Sequence, residues 1–167
     1  MRREKRSLAA LNEHFRGEIQ PKLVHLQFKH ALNKSSSYRR QSPFGVHLRQ
    51  MLPILKQGVQ AAGLSFGAPF FVKYCRVGVM NDIGDLLQPE VLILLIGERP
   101  GLGRADSMSA YMAYRPKRGD TDADRDVICN IFESGGTNPL EAGAFVVQLA
   151  QKMRRQQASG VKLKVVT

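Results

Sequence analysis

The sequence predicts an α/β fold with a mostly parallel sheet and flanking helices, on three observations. The run "EVLILLIG" at residues 90–97 is apolar on both faces, as a central strand covered by helices on each side would be. From Val46 to Ala62, the residues Val46, Met51, Leu52, Leu55 and Val59 mark one face at helical spacing. At 138–160, "NPLEAGAFVVQLAQKMRRQQASG" reads as a second long helix with its own start and stop signals. Helices and strands alternating in this way are the mark of an α/β domain.

Residues 1–33 are helix-permissive, with Leu8, Leu11 and Phe15, then Leu23, Leu26 and His30, at roughly helical spacing. Gly17 and Pro21 interrupt that pattern, so two short helices or a frayed arm are expected. "NKSSSYRRQSP" at 33–43 reads as a linker. The expected division is therefore a basic, helical or poorly ordered arm and linker at 1–44 and one α/β domain at 45–167. No strand is expected within 1–44.

The helix over 46–62 contains Pro53, which should kink it or move its start, and Gly63 is its expected C-terminal cap. "PFFVKYCRVGV" at 69–79 reads as a strand with a turn or bulge near Arg76. "DIGDLL" at 82–87 is a short helix or turn. Residues 90–97 form the clearest strand, expected to be central and parallel. Ser107 to Tyr114 favours a strand through "AYMAYRP", and 121–131 reads as a turn leading to a short ordered segment. In the last helix Asn138 suits the N-cap, Pro139 the first helical position and Glu141 a capping-box-like start. Lys152, Arg154 and Arg155 suit its C-terminal dipole, and Gly160 is expected to end it.

Composition narrows the class. The chain has 167 residues, room for one domain with a real core. No apolar run is long enough for a membrane span. The basic start "MRREKRSLAALNEH" is not followed by the apolar stretch of a secretory leader. Cys75 and Cys129 match no metal or redox spacing, so a reduced cytoplasmic setting is expected. Residues 1–50 hold 11 of the 25 Lys and Arg but 3 of the 14 Asp and Glu. Such a segment suits nucleic acid, an anionic surface or an acidic partner, or is simply a solvated arm. Phe15, Phe28 and Tyr38 are too sparse for a base-stacking platform, which speaks against nucleic acid.

The central strand stops abruptly in "GERPGLG", where an open parallel sheet places its binding loops. Glycine permits close backbone approach, Glu98 can accept hydrogen bonds and Arg99 can pair with a carboxylate or phosphate. A tight turn with a surface ion pair remains the plainer reading. "GLGRAD" lacks the third glycine of a dinucleotide fingerprint, and no Walker loop or nucleophile elbow occurs. His14, His25, His30 and His47 have no carboxylate at metal-binding spacing, so surface or half-buried roles are expected. Asp120, Asp122, Asp124 and Asp126 alternate like a calcium loop but lack its glycine and terminal glutamate. No complete active site is legible.

"LIGERPGLGRADSMSAYMAYRPKRGDTDADRDVICNI" strongly resembles the small (light) subunit of ethanolamine ammonia-lyase. That family carries I-G-E-R-P-G-L-x-x-x-D-S, then A-Y-x-x-Y-x-P, then T-D-A-[DE]-R-N-C-I-S-N-I. Ile96 to Leu102, Asp106, Ser107, Ala110, Tyr111, Tyr114, Pro116, Thr121 to Arg125, Ile128, Asn130 and Ile131 all fit. "LKQGVQAAGL", "RVGVMNDIGDLL" and "SGVKLK" have counterparts too, so the resemblance covers about 45–164 in order.

The resemblance implies a Rossmann-like domain after a helical N-terminal part. It implies a hetero-oligomer with a TIM-barrel large subunit that makes most of the contacts to ethanolamine, and adenosylcobalamin held at the interface. The reaction implied is ethanolamine to acetaldehyde and ammonia, in the cytoplasm or within a bacterial microcompartment. No catalytic or metal-ligating residue is carried over to this chain. The implied corrinoid contacts are Val77 in "RVGV", Glu98 in the G-E-R-P-G loop and Val127 at the family's cysteine position. Here Val127 replaces that cysteine and Cys129 stands where serine is expected. The family's first strand also has no evident counterpart, which would leave a sheet edge open. A truncated, inactive interaction module and a basic nucleic-acid-binding protein therefore stay open beside the subunit reading.

Overall fold

The apolar run at 91–97 organises a mixed sheet. The computed structural model describes residues 23–29, 43–72, 76–97 and 107–165. In chain order these hold β1 (Leu23–Lys29), α1 (Pro43–Ala61), β2 (Ser65–Phe66), β3 (Phe70–Phe71), α2 (Val79–Leu87), β4 (Val91–Gly97), β5 (Met108–Tyr114), a 3-10 turn (Asp122–Asp124), β6 (Asp126–Ile131), α3 (Pro139–Gln156) and α4 (Val161–Val165). The sheet runs β2-β1-β4-β5-β6, and β3 also pairs with β1.

β4 is central, and alternation along it feeds two cores. Val91, Ile93 and Leu95 pack with Met51, Leu55 and Val59 of α1 and Ala142, Val146, Ala150 and Met153 of α3. Leu92, Leu94 and Ile96 pack with Met80, Ile83 and Leu87 of α2. All six are buried. Each such side chain contributes about 1.5–3 kcal/mol when buried, so this strand outweighs any single cap or ion pair.

Two expectations about the sheet need correction. It is mixed, not mostly parallel and Rossmann-like: β4 is parallel to β1 but antiparallel to β5, and β5 is antiparallel to β6. Apolar faces on both sides of β4 report helices above and below, not strand direction. Only residues 98–107 separate β4 from β5, fewer than the dozen or so that a parallel crossover takes.

The second correction concerns residues 1–44. Leu23–Lys29 is a strand, not part of a helix, and it runs beside β4 with Val24 opposite Val91 and Lys29 opposite Ile96. The place of the first strand, expected to be empty, is filled. A division at residue 44 therefore cuts β1 from the sheet to which it belongs. Leu23 and Leu26 suit a helix, but "LVHLQFK" also alternates, and pairing with β4 decides between the two. The arm and linker expected over 1–22 and 30–42 lie outside the described residues.

The helices follow the sequence more closely. α1 runs through Pro53 and closes at Gly63, which has φ +69°. Gly63 N–H donates to Gln60 O and Leu64 N–H to Val59 O, each at 3.0 Å. Of the strand expected over 69–79, the described residues hold Phe70–Phe71 as strand, and a turn at Val77 and Gly78 leads into α2; residues 73–75 lie outside the described residues. At the start of α3, Asn138 Oδ1 accepts from Leu140 N–H at 2.9 Å, with Pro139 beside it. α3 stops at Gln156, four residues before the expected Gly160, with Gln157 in the left-handed conformation. Gly160 serves close packing: a Cβ there would sit 2.0 Å from Ala123 O. No helix among the described residues is long and apolar enough to cross a membrane.

Candidate functional site

The face of the sheet that carries α2 is covered unevenly. Leu94 of β4 pairs with Tyr111 of β5, and Tyr111 pairs with Val127 of β6. Directly paired residues project to the same side. Along this row Leu94 is fully buried, Tyr111 is half-buried and Val127 is 46% exposed. α2 shields β4, and the cover thins toward β6. The result is an apolar shelf where β5 meets β6 on the described part of this face.

Val77 adjoins the same apolar cluster. It is half-buried against the core formed by α2 with β4. Its carbonyl accepts from Met80 N–H at 3.1 Å, so the turn that carries it is welded to the first turn of α2. The structure thus places Val77 and Val127 on one side of the sheet. Glu98 follows directly on β4 in sequence but lies outside the described residues, as does the whole segment 98–106. Cys129, two residues after Val127, is an exposed free thiol.

Two further residues tie this face together. Arg125 Nη2 donates to Asn81 Oδ1 at 2.9 Å, and Asn81 Nδ2 donates to Asp120 O at 2.8 Å. Arg125 Nη1 donates to Asp122 Oδ1 at 2.5 Å. The Arg125 side chain is 6% exposed. Sequence reasoning quoted Arg125 within a motif and gave it no role, and it passed over Asn81. The two stand 44 residues apart, and no local spacing links them.

The alternating aspartates are spent internally. Asp120 accepts from Lys117 N–H, Asp122 from Arg125, and Asp126 from Gly160 N–H. Asp124 accepts from Thr121 N–H at 3.0 Å, Thr121 Oγ1 at 3.1 Å and Lys162 Nζ at 3.1 Å. The Thr121 backbone hydrogen bond, with Lys162 next, holds the Asp124 carboxyl below its ordinary value. Among the described residues no three His, Cys, Asp or Glu side chains gather to hold a metal ion. His47 is buried rather than at the surface, and neither of its ring nitrogens has a hydrogen-bond partner.

A second concavity, about 440 Å³, lies at the C-terminal end of α2, between Gly84, Asp85 and Gln88 and the segment Arg115–Lys117. Asp85 there accepts from Arg118 N–H and pairs with its guanidinium. The concavity opens to solvent, and of its lining side chains Asp85 is paired with Arg118 and Arg115 with Glu90.

The shelf offers the exposed Val127 beside the half-buried Tyr111 and Val77, and among the described residues no catalytic pair of acid and base points at it. Residues 43–164 match the family model of the ethanolamine ammonia-lyase light chain (EutC).

Proposed function

Because the chain belongs to the ethanolamine ammonia-lyase light-chain family, we propose that it is the small subunit of an adenosylcobalamin-dependent ethanolamine ammonia-lyase. In this reading it joins a TIM-barrel large subunit, and the corrinoid lies between them. The large subunit makes most of the contacts to ethanolamine and carries most of the radical chemistry. The complex works in the cytoplasm or inside a bacterial microcompartment.

The observation that carries the reading is the row Leu94–Tyr111–Val127, which passes from buried to 46% exposed on the side where Val77 also sits. Val77 and Val127 would offer apolar and backbone contact to the corrin edge. Glu98, just past β4, would accept hydrogen bonds from its amide side chains. Adenosylcobalamin supplies radical chemistry when bound. This chain's residues hold and orient it and exclude water from one side. Valine at the family's cysteine position suits contact by packing and removes any role for a thiol there.

The inactive-module reading drew on a first strand thought to be absent. β1 now occupies that place beside β4, which favours a competent subunit. The test is co-expression with an ethanolamine ammonia-lyase large subunit, purification, and an assay for acetaldehyde with added adenosylcobalamin. Activity that requires both chains supports the proposal. A stable complex without cobalamin binding or turnover points to the interaction module. No complex with a well-folded large subunit overturns both.

A further inference from the structure

Arg125 and Asn81 are not part of the shelf, yet each stands close in sequence to one of its walls. Asn81 lies in the first turn of α2, four residues after Val77. Hydrogen bonds from Met80 N–H to Val77 O and from Asn81 N–H to Gly78 O, at 3.1 and 3.2 Å, make that stretch one rigid unit. Arg125 comes two residues before Val127, which the ladder fixes opposite Tyr111. Nη2 of Arg125 reaches Asn81 Oδ1 at 2.9 Å, and both side chains converge on Asp120 O, at 3.4 Å and 2.8 Å.

A guanidinium this deeply buried is a poor choice for stability alone. Desolvating a cation costs several kcal/mol, and apolar side chains of equal volume usually do as well or better. What the guanidinium offers instead is direction: a planar fork that bonds along fixed vectors. Here the fork locks the α2 turn to the entrance of β6.

We propose that Arg125 and Asn81 are positioning residues that set the spacing between the Val77 turn and the Val127 strand, and so the width of the corrinoid seat. The inference rests on the corrinoid reading above. Neither residue touches the cofactor; each acts through the backbone that carries a contact. Loss of the tie lets the α2 turn and β6 drift, and a small misplacement in a supporting shell is enough to weaken a rigid ligand's fit.

The test uses the complex of this chain with its large subunit and cyanocobalamin as probe in equilibrium dialysis. Arg125→Met and Asn81→Ala should each raise the Kd by about tenfold, the size expected from losing one charge-assisted hydrogen bond. The double variant should lose little more than the worse single variant, because both cut the same tie. Arg125→Lys should recover part of the loss. Asp122→Asn, at the 89% exposed end of the ion pair, should stay within about twofold. With adenosylcobalamin, the variants should raise the cofactor concentration for half-maximal rate and keep kcat at saturation. Equal affinity in native and tie variants would overturn the inference. So would loss of co-elution with the large subunit in Asn81→Ala, which would make the tie purely structural. If the native complex itself takes up no cyanocobalamin, the corrinoid reading has failed first.

Discussion

The Ser159 hydroxyl donates to the main-chain carbonyl of Asp124 at 2.6 Å. The same oxygen accepts from Tyr114 N–H at 3.0 Å, so one small side chain binds the end of β5, the 3-10 turn and the start of the C-terminal segment. Ser159 is buried. Ser159→Ala leaves a donor and an acceptor without partners, a loss of about 2–3 kcal/mol. Chemical denaturation should show a lower midpoint at an unchanged slope. A shift equivalent to less than about 0.5 kcal/mol would mean that water replaces the hydroxyl without cost.

Asp124 makes the same junction pH-dependent. Its folded pKa lies below its unfolded value, first through Thr121 N–H and then through Lys162. A depressed carboxyl stabilises the fold above the unfolded pKa, about 3.9, and that contribution disappears as pH falls through the lower folded value. The stability gap between the native chain and Asp124→Asn should therefore be larger at pH 6 than at pH 3. Urea titrations at the two pH values measure it. A gap that stays constant or widens in acid contradicts this sign.

Gly84 has no room for a side chain. A Cβ would sit 1.7 Å from Pro116 O, a backbone atom that cannot step aside. Gly84→Ala should cost about 3 kcal/mol or more, although alanine favours helices. Gly78→Ala is the control, since nothing lies within 4 Å of its Cβ. It should stay within about 0.5 kcal/mol of native. Thermal melts of the pair distinguish a true backbone clash at Gly84 from a general cost of replacing glycine in and just before α2.

Val127 separates function from stability. At 46% exposed, Val127→Asp should change folding stability by no more than about 0.5 kcal/mol. In the complex it should weaken cyanocobalamin binding by at least about tenfold, because a carboxylate facing an apolar ligand must be desolvated. Unchanged affinity would remove Val127 from the corrinoid seat.

The residues that were legible from sequence are those whose reasons are local. The cap at Asn138 and Pro139, the left-handed Gly63 and the buried run of β4 all depend on neighbours a few positions away. β1 was not legible, because a seven-residue stretch with apolar Leu23, Val24, Leu26 and Phe28 fits both periods, and its register comes from β4, far along the chain. Strand direction is not legible in the apolar run of β4, because burial on both faces is a property of the layers. The short link of residues 98–107 was the available signal for an antiparallel return. Within the site, Val77 and Val127 came from family resemblance, and the structure puts them on one face. The Asn81–Arg125 pair needed the fold itself, since a buried arginine among four aspartates has several partners on paper, and in space it joins Asp122 to Asn81, 44 residues away.

β1 also has a consequence for how the molecule is made. As the chain is synthesised, residues 23–29 emerge long before β4, against which they must align from Val24–Val91 to Lys29–Ile96. At about 5–20 residues per second, that strand waits several seconds for its main neighbour. β2 and β3 arrive sooner but offer two residues each. During that interval the nascent chain carries a strand with nowhere to dock. Efficient production then depends on what shields it, so the yield of folded protein should respond to chaperone supply and translation speed more than its finished stability suggests.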